Sequence, residues 1–338
     1  MKILAIESSC DETAVAITED GNLLANVVAT QIEVHEKYGG VMPEIASRLH
    51  TENITICLDS ALKEAKCSLE DIDAFAVTRG PGLIGCLHIG LQAAKSLALI
   101  YNKPLIPVHH LAGHIYANKY VGEFKYPLLS VVTSGSNTEL VIMRDELVFE
   151  IVGDTKDDAV GECYDKVARV LGYPYPGGLP IDLASKKGEH TYNLTEPYSG
   201  ENPLDFSYSG LKTQVINLVN SLKMENEPLR KEDLAKSFQD VAIGMIVKKA
   251  MLAASKYNVK QIILGGGVSA NSYFRERMSQ ECEKAKIELI IPPLWCTTDN
   301  AAMICKVAEE LYKRKIFAPL SIGVDPNWKI DKWNEFNS

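Results

Sequence analysis

Short apolar runs alternate with polar turns along this chain, a pattern typical of an α/β protein. Ile3–Ile6 is apolar throughout and Thr13–Ile17 follows after a short polar turn, so we predict a hairpin. The same arrangement recurs at Leu128–Thr133 and Glu139–Met143, again around a polar turn. Two strand–turn–strand units, each heading one half of the chain, predict an internal duplication with two similar lobes.

The remaining elements follow from periodicity and from the Gly and Pro positions. Further predicted strands are Ala74–Thr78, Leu105–Val108 and Val259–Leu264. Predicted helices are Asp157–Leu171, Leu234–Tyr257, Tyr273–Met278 and Ala301–Arg314. The density of Pro and Gly in Tyr173–Pro180 predicts a loop.

A run of three glycines, Gly265–Gly267, separates a predicted strand from a predicted helix. Consecutive glycines let the backbone approach a ligand closely and point helix N–H groups at it, although a tight turn without a ligand is an alternative. The run is not G-x-G-x-x-G, and the chain has no G-x-x-x-x-G-K-[ST], so the dinucleotide and P-loop fingerprints are both missing.

Composition and charge narrow the class of protein. The chain has 338 residues, of which 46% are hydrophobic and 23% charged, and its formal net charge is -9. This length suits two domains or one two-lobed unit. The acidic balance argues against strong unaided binding to nucleic acid, because phosphate neutralisation supplies most non-specific affinity, although a local basic patch remains compatible with it.

Cysteine usage and the N-terminal sequence predict a cytoplasmic protein that makes no use of a membrane. The eight cysteines are scattered without a Cys-x-x-Cys pair, and the chain runs from Met1 directly into a strand pattern rather than a signal peptide. We expect reduced thiols, mostly in the core, and we expect no apolar run long enough to span a bilayer.

His110 and His114 form the most informative local pattern. Residues four apart lie on one face of a helix, so the two imidazoles could share one cation, with Asp299 as the candidate third ligand. Two histidines at this spacing also occur by chance on an ordinary helix. A zinc protease of the H-E-x-x-H type is disfavoured, because Leu111 stands where the general base would be.

Two polar turns carry further candidates. The first contains Asp11 and Glu12, whose carboxylates suggest metal binding, proton transfer or a ribose contact. The second, 134–138, offers hydroxyl and backbone N–H groups to a phosphate or carboxylate. Each turn is equally compatible with a purely local Asx-type structure.

Several motifs occur in order along nearly the whole chain. They are IESSCDET (6–13), PEIASR (43–48), GPGL (80–83), HLAGH (110–114), YDK (164–166), YPGG (175–178), FSYSGLKT (206–213), GGGVSAN (265–271) and TDN (298–300). In these motifs the chain closely resembles the bacterial tRNA N6-adenosine threonylcarbamoyltransferase family, TsaD-type, formerly described as O-sialoglycoprotein endopeptidases. So many motifs in one order are far more specific than any one of them.

The resemblance implies an α/β fold of two RNase H-like lobes around a nucleotide cleft, as in actin, sugar kinases and Hsp70. That agrees with the duplicated hairpin. We expect residues 1–112 to form the N-terminal lobe, with the C-terminal helix 298–338 packing back on it. Residues 113–297 are expected to form the C-terminal lobe with an inserted helical region.

The resemblance also implies a reaction. The threonylcarbamoyl group would move from threonylcarbamoyl-AMP to N6 of the adenosine next to the anticodon, in tRNAs reading codons that begin with A. By similarity, His110, His114 and Asp299 bind one divalent metal ion, Fe²⁺ or Zn²⁺. The residues that match adenylate-binding positions are Ser134, Gly135, Ser136, Asn137, Thr138, Asp165, Gly178, Asp182 and Asn271. Relatives act with a smaller paralogous partner and an ATPase partner.

For catalysis we hypothesise that Asp11 or Glu12 assists removal of a proton from the attacking amine. The chain departs from the family at Asn137, because the family usually reads Ser-Gly-Gly-His-Thr where this chain has Ser-Gly-Ser-Asn-Thr. Two alternatives stay open: a sugar or acid kinase of the same fold, and a non-catalytic paralogous scaffold. The first gives the histidine pair no role, and the second lacks that pair.

Overall fold

Strands and helices alternate along the chain. A computed structural model describes residues 1–337, with side chains described up to Trp333. The strands are β1 (Lys2–Glu7), β2 (Glu12–Glu19), β3 (Asn22–Thr30), β4 (Ala74–Gly80), β5 (Leu105–His109), β6 (Leu128–Thr133), β7 (Thr138–Asp145), β8 (Val148–Asp154), β9 (Gln261–Gly265) and β10 (Glu288–Ile290). The helices are α1 (Ile32–Glu36), α2 (Pro43–Ala65), α3 (Ile84–Tyr101), α4 (His110–Tyr116), α5 (Val160–Leu171), α6 (Gly178–Ser185), α7 (Ser209–Met224), α8 (Lys231–Tyr257), α9 (Ser272–Ala285) and α10 (Ala301–Lys313).

The described chain divides into two compact units. Unit 1 consists of Met1–Tyr120 together with Leu294 and the residues after it, and unit 2 consists of Val121–Pro293. The sequence predicted divisions after residues 112 and 297, whereas the units divide after Tyr120 and Pro293. The difference has a local cause. Helix α10 packs against α4 and the 3-10 turn Ala117–Tyr120, which places both in unit 1.

Unit 1 is built on a five-stranded sheet with the order β3-β2-β1-β4-β5. Its apolar strands fit a sheet that helices cover, and Leu4 of β1 and Ile54 of α2 belong to one buried apolar cluster. Strands β1, β4 and β5 are parallel and end at Glu7, Gly80 and His109. The segments that follow these three strands therefore begin at the same edge of the sheet, where ligands bind in open α/β sheets.

Helix α3 is the one helix of the described chain whose length and composition would allow it to cross a membrane. The expectation that no apolar run reaches that length was wrong. Leu87, Leu91 and Ala94 on this helix are buried, and the helix packs on β4. A core helix passes the same length and composition test, so this finding is weak evidence for a membrane span.

Unit 2 repeats the sheet of unit 1. Its strand order is β10-β9-β6-β7-β8, and its first strand β6 is antiparallel to β7 and parallel to β9. In unit 1, β1 is likewise antiparallel to β2 and parallel to β4. The predicted duplication is confirmed at the level of sheet topology. Strands β6 and β9 end side by side at Thr133 and Gly265.

Most predicted elements are present, with shifted ends. The helix predicted from Asp157 begins at Val160, because the Asp157 carboxylate accepts backbone N–H groups at the start of α7 instead. The loop predicted for Tyr173–Pro180 was wrong in its last part, since α6 begins at Gly178. Pro180 lies in the first turn of that helix, where its missing N–H costs no hydrogen bond.

Candidate metal centre and nucleotide-binding segments

Helix α4 carries the two histidines, as predicted. His109 at its N-cap accepts the backbone N–H of Leu111, so the helix begins directly after β5. His110 and His114 lie one turn apart with ring centroids separated by 4.8 Å, and both side chains are buried. Two imidazoles in one buried place need a partner, because burial of a polar ring without one costs free energy.

Asp299 approaches both rings. Asp299 directly precedes Asn300, whose side chain caps α10. The start of that helix therefore fixes the position of Asp299. Asp299 Oδ1 lies 3.5 Å from His110 Nε2 and 3.2 Å from His114 Nε2. Ligand atoms about 2.0–2.1 Å from one tetrahedral ion lie about 3.3 Å apart, so these separations fit a shared cation.

Glu7 lies behind His110 and was not among the predicted site residues. Its Oε2 is 3.1 Å from His110 Nδ1 and accepts the hydroxyl of Thr78, while its Oε1 accepts the backbone N–H of Ser9. A carboxylate that accepts a hydrogen bond from Nδ1–H leaves the lone pair on Nε2, which faces Asp299. Metal-binding histidines commonly have such a carboxylate behind them.

The charges around His110, His114 and Asp299 favour a bound cation. Burial lowers the pKa of His110, but Asp299 and Glu7 outweigh it and raise that pKa to about 9. Burial raises the pKa of Asp299, but His110 and His114 lower it to about 2. The pKa of Glu7 is also lowered, because His110 overcomes the effect of burial. The carboxylates of Glu7 and Asp299, together with two neutral imidazoles, would be balanced by one divalent cation.

The surroundings of His114 also fit a bound metal ion. Neither of its ring nitrogens has a hydrogen bond to any described residue, although the side chain is fully buried. Its Nε2 and the Asp299 oxygen face each other at 3.2 Å without hydrogen-bond geometry. The three ligand atoms of the group all lie within 4.8 Å of one another. A metal ion at this point would satisfy His114 Nε2 and the Asp299 oxygen, so the donor set fits a His₂Asp centre.

The acidic turn of the first hairpin lies beside this group. Ser9 Oγ is 3.1 Å from His110 Nδ1, and the Asp299 carboxylate acts electrostatically on Glu12. Burial, Asp11 and Asp299 raise the pKa of Glu12 well above its usual range. Asp11 is buried and Glu12 is half-buried. A carboxylate with a raised pKa suits proton transfer near neutral pH.

Main-chain carbonyl groups fix the conformation of the same turn. The carbonyl oxygen of Ser9 accepts the N–H of Leu83, and that of Asp11 accepts the N–H of Gln31. His50 Nε2 lies 2.9 Å from the carbonyl oxygen of Cys10, and its Nδ1 lies 2.7 Å from the hydroxyl of Thr13. Each of the three carbonyls is thus held by a different segment of unit 1.

In unit 2, the polar turn 134–138 joins β6 to β7. Ser134 and Thr138 are buried, whereas Gly135 and Ser136 are exposed. The hydroxyl of Thr138 accepts the N–H of Val160 at the start of α5, so this side chain supports the helix. The carbonyl groups of Ser134 and Gly135 accept the next two N–H groups of that helix. The turn therefore lies against the N-terminus of α5.

A buried network joins two of the other predicted residues. Gln239 of α8 donates to Asp182 over 3.3 Å and accepts from Asn271 over 2.7 Å. Asn271 also caps α9 by accepting the N–H of Phe274, and Asp182 accepts both polar groups of Ser272. The sequence analysis missed Gln239, because nothing in its helical context distinguishes it from an ordinary core-edge residue.

Asp165 and the glycines complete the unit 2 group. The Asp165 carboxylate accepts the N–H of Gly177 over 2.6 Å, which ties α5 to the start of α6. Gly178 and Gly267 have no atom within 4 Å of the position where a Cβ would stand, so their backbone borders open space. Gly266 has a φ of +86°, and a Cβ there would meet the Thr133 carbonyl at 2.3 Å, so only glycine fits.

Solved structures with the same fold identify the class. Full-length HypF has a TM-score of 0.63 at 14% identity, over 94% of this chain and 47% of that protein. Component A of the Acidaminococcus fermentans (R)-2-hydroxyglutaryl-CoA dehydratase has a TM-score of 0.55 at 16% identity, over 93% and 98% of the two chains. The protein thus has the fold of the actin, sugar kinase and Hsp70 class, as predicted.

Sequence comparison identifies the family within that class. The profile described as tRNA N6-adenosine threonylcarbamoyltransferase matches residues 22–306. Proteins of that description are 52% identical in Bacillus cereus, over 97% of this chain and 96% of the relative, and 53% identical in Listeria monocytogenes, over 89% of both. The chain belongs to the tRNA N6-adenosine threonylcarbamoyltransferase family and is a tRNA-modifying transferase, which confirms the resemblance seen in its motifs.

Proposed function

We propose that the donor is threonylcarbamoyl-AMP and that the acceptor is N6 of the adenosine next to the anticodon, in tRNAs that read codons beginning with A. N6 forms a bond to the carbamoyl carbon, and the bond between that carbon and the phosphate oxygen breaks. AMP leaves with the electron pair, and N6 gives up one proton. Because the donor is already activated, no covalent intermediate on the protein is needed.

The observation that carries the proposal is the convergence of His110, His114 and Asp299 on one point in unit 1. We propose that their Nε2 and carboxylate oxygen atoms hold one Fe²⁺ or Zn²⁺ ion, since imidazole and carboxylate ligands suit both metals. When bound, such an ion supplies positive charge that stabilises and orients substrate oxygens. Glu7 keeps His110 in the tautomer that leaves Nε2 free to bind.

The acidic turn takes the proton in this proposal. The raised pKa of Glu12 makes its ionised carboxylate a stronger base, and in this proposal that carboxylate accepts the proton from N6. Asp11 stands next to it and contributes to that raised pKa. The carbonyl contacts of the turn fix the main chain that carries both carboxylates before substrate arrives, which lowers the reorganisation that catalysis requires.

For unit 2, considered by itself, we propose that it contacts the adenylate. Residues 134–138 face the phosphate with exposed backbone at Gly135, and Gly178 and Gly267 leave space beside the backbone for the nucleoside. Asp165 and Asp182 offer carboxylates to ribose hydroxyls. Asn271, held by Gln239, offers its amide. Ser136 and Asn137 contribute mainly through the backbone, because the family's usual histidine is absent.

From the family resemblance we also propose a smaller paralogous partner, an ATPase partner and a cytoplasmic location. The buried free cysteines suit a reducing compartment. Neither the described residues nor the comparisons favour the sugar or acid kinase. The metal-binding triad argues against the non-catalytic scaffold.

Reconstitution tests the proposal. Purified protein, with and without candidate partners, is mixed with threonylcarbamoyl-AMP and unmodified tRNA, and the modified nucleoside is measured by mass spectrometry. Single-turnover rates should fall at least about tenfold in Glu12→Gln and remain at the wild-type level in Glu36→Gln, an exposed control. In parallel, His114→Ala should lose bound metal and His88→Ala should keep it. A metal content unaffected by His114→Ala would refute the proposed metal centre.

A further inference from the structure

His109 is a buried histidine next to the proposed ligands that the mechanism does not use. Its Nδ1 accepts the N–H of Leu111 at 3.2 Å, so Nδ1 carries no proton. The proton must then be on Nε2, which lies 2.8 Å from the main-chain oxygen of Trp328 and donates to it. One imidazole thus connects the first turn of α4 with the chain near the C-terminus, in a single tautomer.

The segment 323–328 is itself fixed to the loop after β4. The N–H of Asp325 donates to the carbonyl oxygen of Arg79, and the N–H of Gly82 donates to that of Pro326. Arg79 donates to the carbonyl of Gly323 and lies 4.7 Å from the centre of the Trp328 ring. These four contacts give the segment one position against the edge where β4 and β5 end.

Gly80 shows how closely the segment approaches. A Cβ on Gly80 would lie 1.8 Å from the Asp325 oxygen, so no other residue fits without moving the chain. The rings of His109 and Trp328 also pack at 5.1 Å between centroids. The carbonyl that accepts the hydrogen bond from His109 is therefore held by packing as well as by hydrogen bonds.

We propose that the segment 323–328 positions the metal-binding helix α4 through His109, which makes His109 a positioning residue for His110 and His114. The segment fixes the His109 ring, and the ring fixes the start of the helix by capping it. Since α4 has only seven residues, its first turn sets the direction of both ligand side chains. This inference rests on the proposed metal centre.

Titration with Co²⁺ tests the inference, because its visible absorption reports the geometry of the ligands. His109→Asn keeps an N-cap acceptor but loses the donor to Trp328, and His109→Phe loses both contacts and keeps a ring. We expect Co²⁺ affinity to fall about tenfold or more in His109→Phe, with an altered spectrum, and to lie between this and wild type in His109→Asn. The exposed His88→Asn is the matched control and should bind as wild type does.

A role limited to folding would lower the unfolding temperature without changing the affinity or spectrum of the folded protein. Wild-type affinity and spectrum in His109→Asn would overturn the inference even if His109→Phe fails to fold. Loss of Co²⁺ binding in His110→Ala establishes the centre independently. If wild-type protein binds no Co²⁺ at all, both the proposed metal centre and this inference fail, whereas unchanged His109 variants with an intact centre remove only the inference.

Discussion

Replacing Glu7 with Gln isolates the charge behind the metal centre while keeping the shape of the side chain. Glu7 is fully buried and accepts three hydrogen bonds, from Ser9, Thr78 and His110. A glutamine would place an acceptor oxygen at the position of one carboxylate oxygen and an NH₂ group at the position of the other. In either orientation of the amide, its NH₂ group faces a donor, either the N–H of Ser9 or the Nδ1–H of His110, whereas the hydroxyl of Thr78 can turn and accept.

Two effects follow, with separate magnitudes. A buried donor left facing another donor costs about 1–3 kcal/mol of folding free energy. Loss of the carboxylate behind a metal-binding histidine typically lowers metal affinity about 10- to 100-fold, or about 1.4–2.8 kcal/mol. We therefore expect Glu7→Gln to unfold at lower urea concentration and, when folded, to bind Zn²⁺ about 10- to 100-fold more weakly.

Competition with a chromophoric chelator measures the Zn²⁺ affinity, and urea unfolding of metal-free protein measures the stability. The exposed Glu64→Gln is the matched control and should change neither quantity. Zn²⁺ affinity within about twofold of wild type in folded Glu7→Gln would refute the reasoning. In that case the Glu7–His110 contact would have only a structural role.

Three further changes test other parts of the molecule. Gln239→Leu should raise KM for threonylcarbamoyl-AMP about tenfold in steady-state assays and leave metal content unchanged; lost metal would contradict the assignment of Gln239 to the adenylate group. Gly80→Ala should lower the free energy of unfolding by about 3 kcal/mol in thermal unfolding. Its control, Gly244→Ala, should be neutral or stabilising, because Gly244 lies in a helix with open space where the Cβ would stand. Equal effects of the two changes would contradict the close packing at Gly80. Asp158 has a lowered pKa because two lysine ammonium groups overcome the effect of burial. The ionised carboxylate therefore stabilises the folded protein above about pH 4, and this stabilisation is lost as the pH falls through the lowered pKa. Asp158→Asn should therefore cost about 1 kcal/mol at pH 7 in urea unfolding and progressively less below pH 4; a constant difference would contradict this.

The sequence predicted seven of the ten described strands and a group of three candidate metal ligands that do lie together, for different reasons. The strands are nearly continuous apolar runs, and Ile3–Ile6 and Leu128–Thr133 have no competing interpretation. His110 and His114 are close in sequence, so helical spacing alone brings them together. Asp299 is almost two hundred residues away, and only the order of family motifs identified it.

The supporting contacts could not be predicted, because they join side chains to distant main-chain atoms. His50 reaches the carbonyl of Cys10, and His109 reaches that of Trp328. Every residue has a main-chain carbonyl oxygen, so no sequence pattern indicates which one will accept a hydrogen bond. Gln239 was missed for a related reason, since its contacts to Asp182 and Asn271 depend on how three helices pack.

Glu7 is the exception that a stricter use of topology would have found. A charged residue ends the otherwise apolar strand β1, and it is fully buried in the folded chain. Parallel strands β1 and β5 end at one edge of the sheet, and β5 is followed at once by His110. Sheet order therefore places a buried carboxylate and a histidine at the same edge, with only β4 between their strands. The contact itself depends on the direction of the two side chains, and Glu7→Gln tests its role directly.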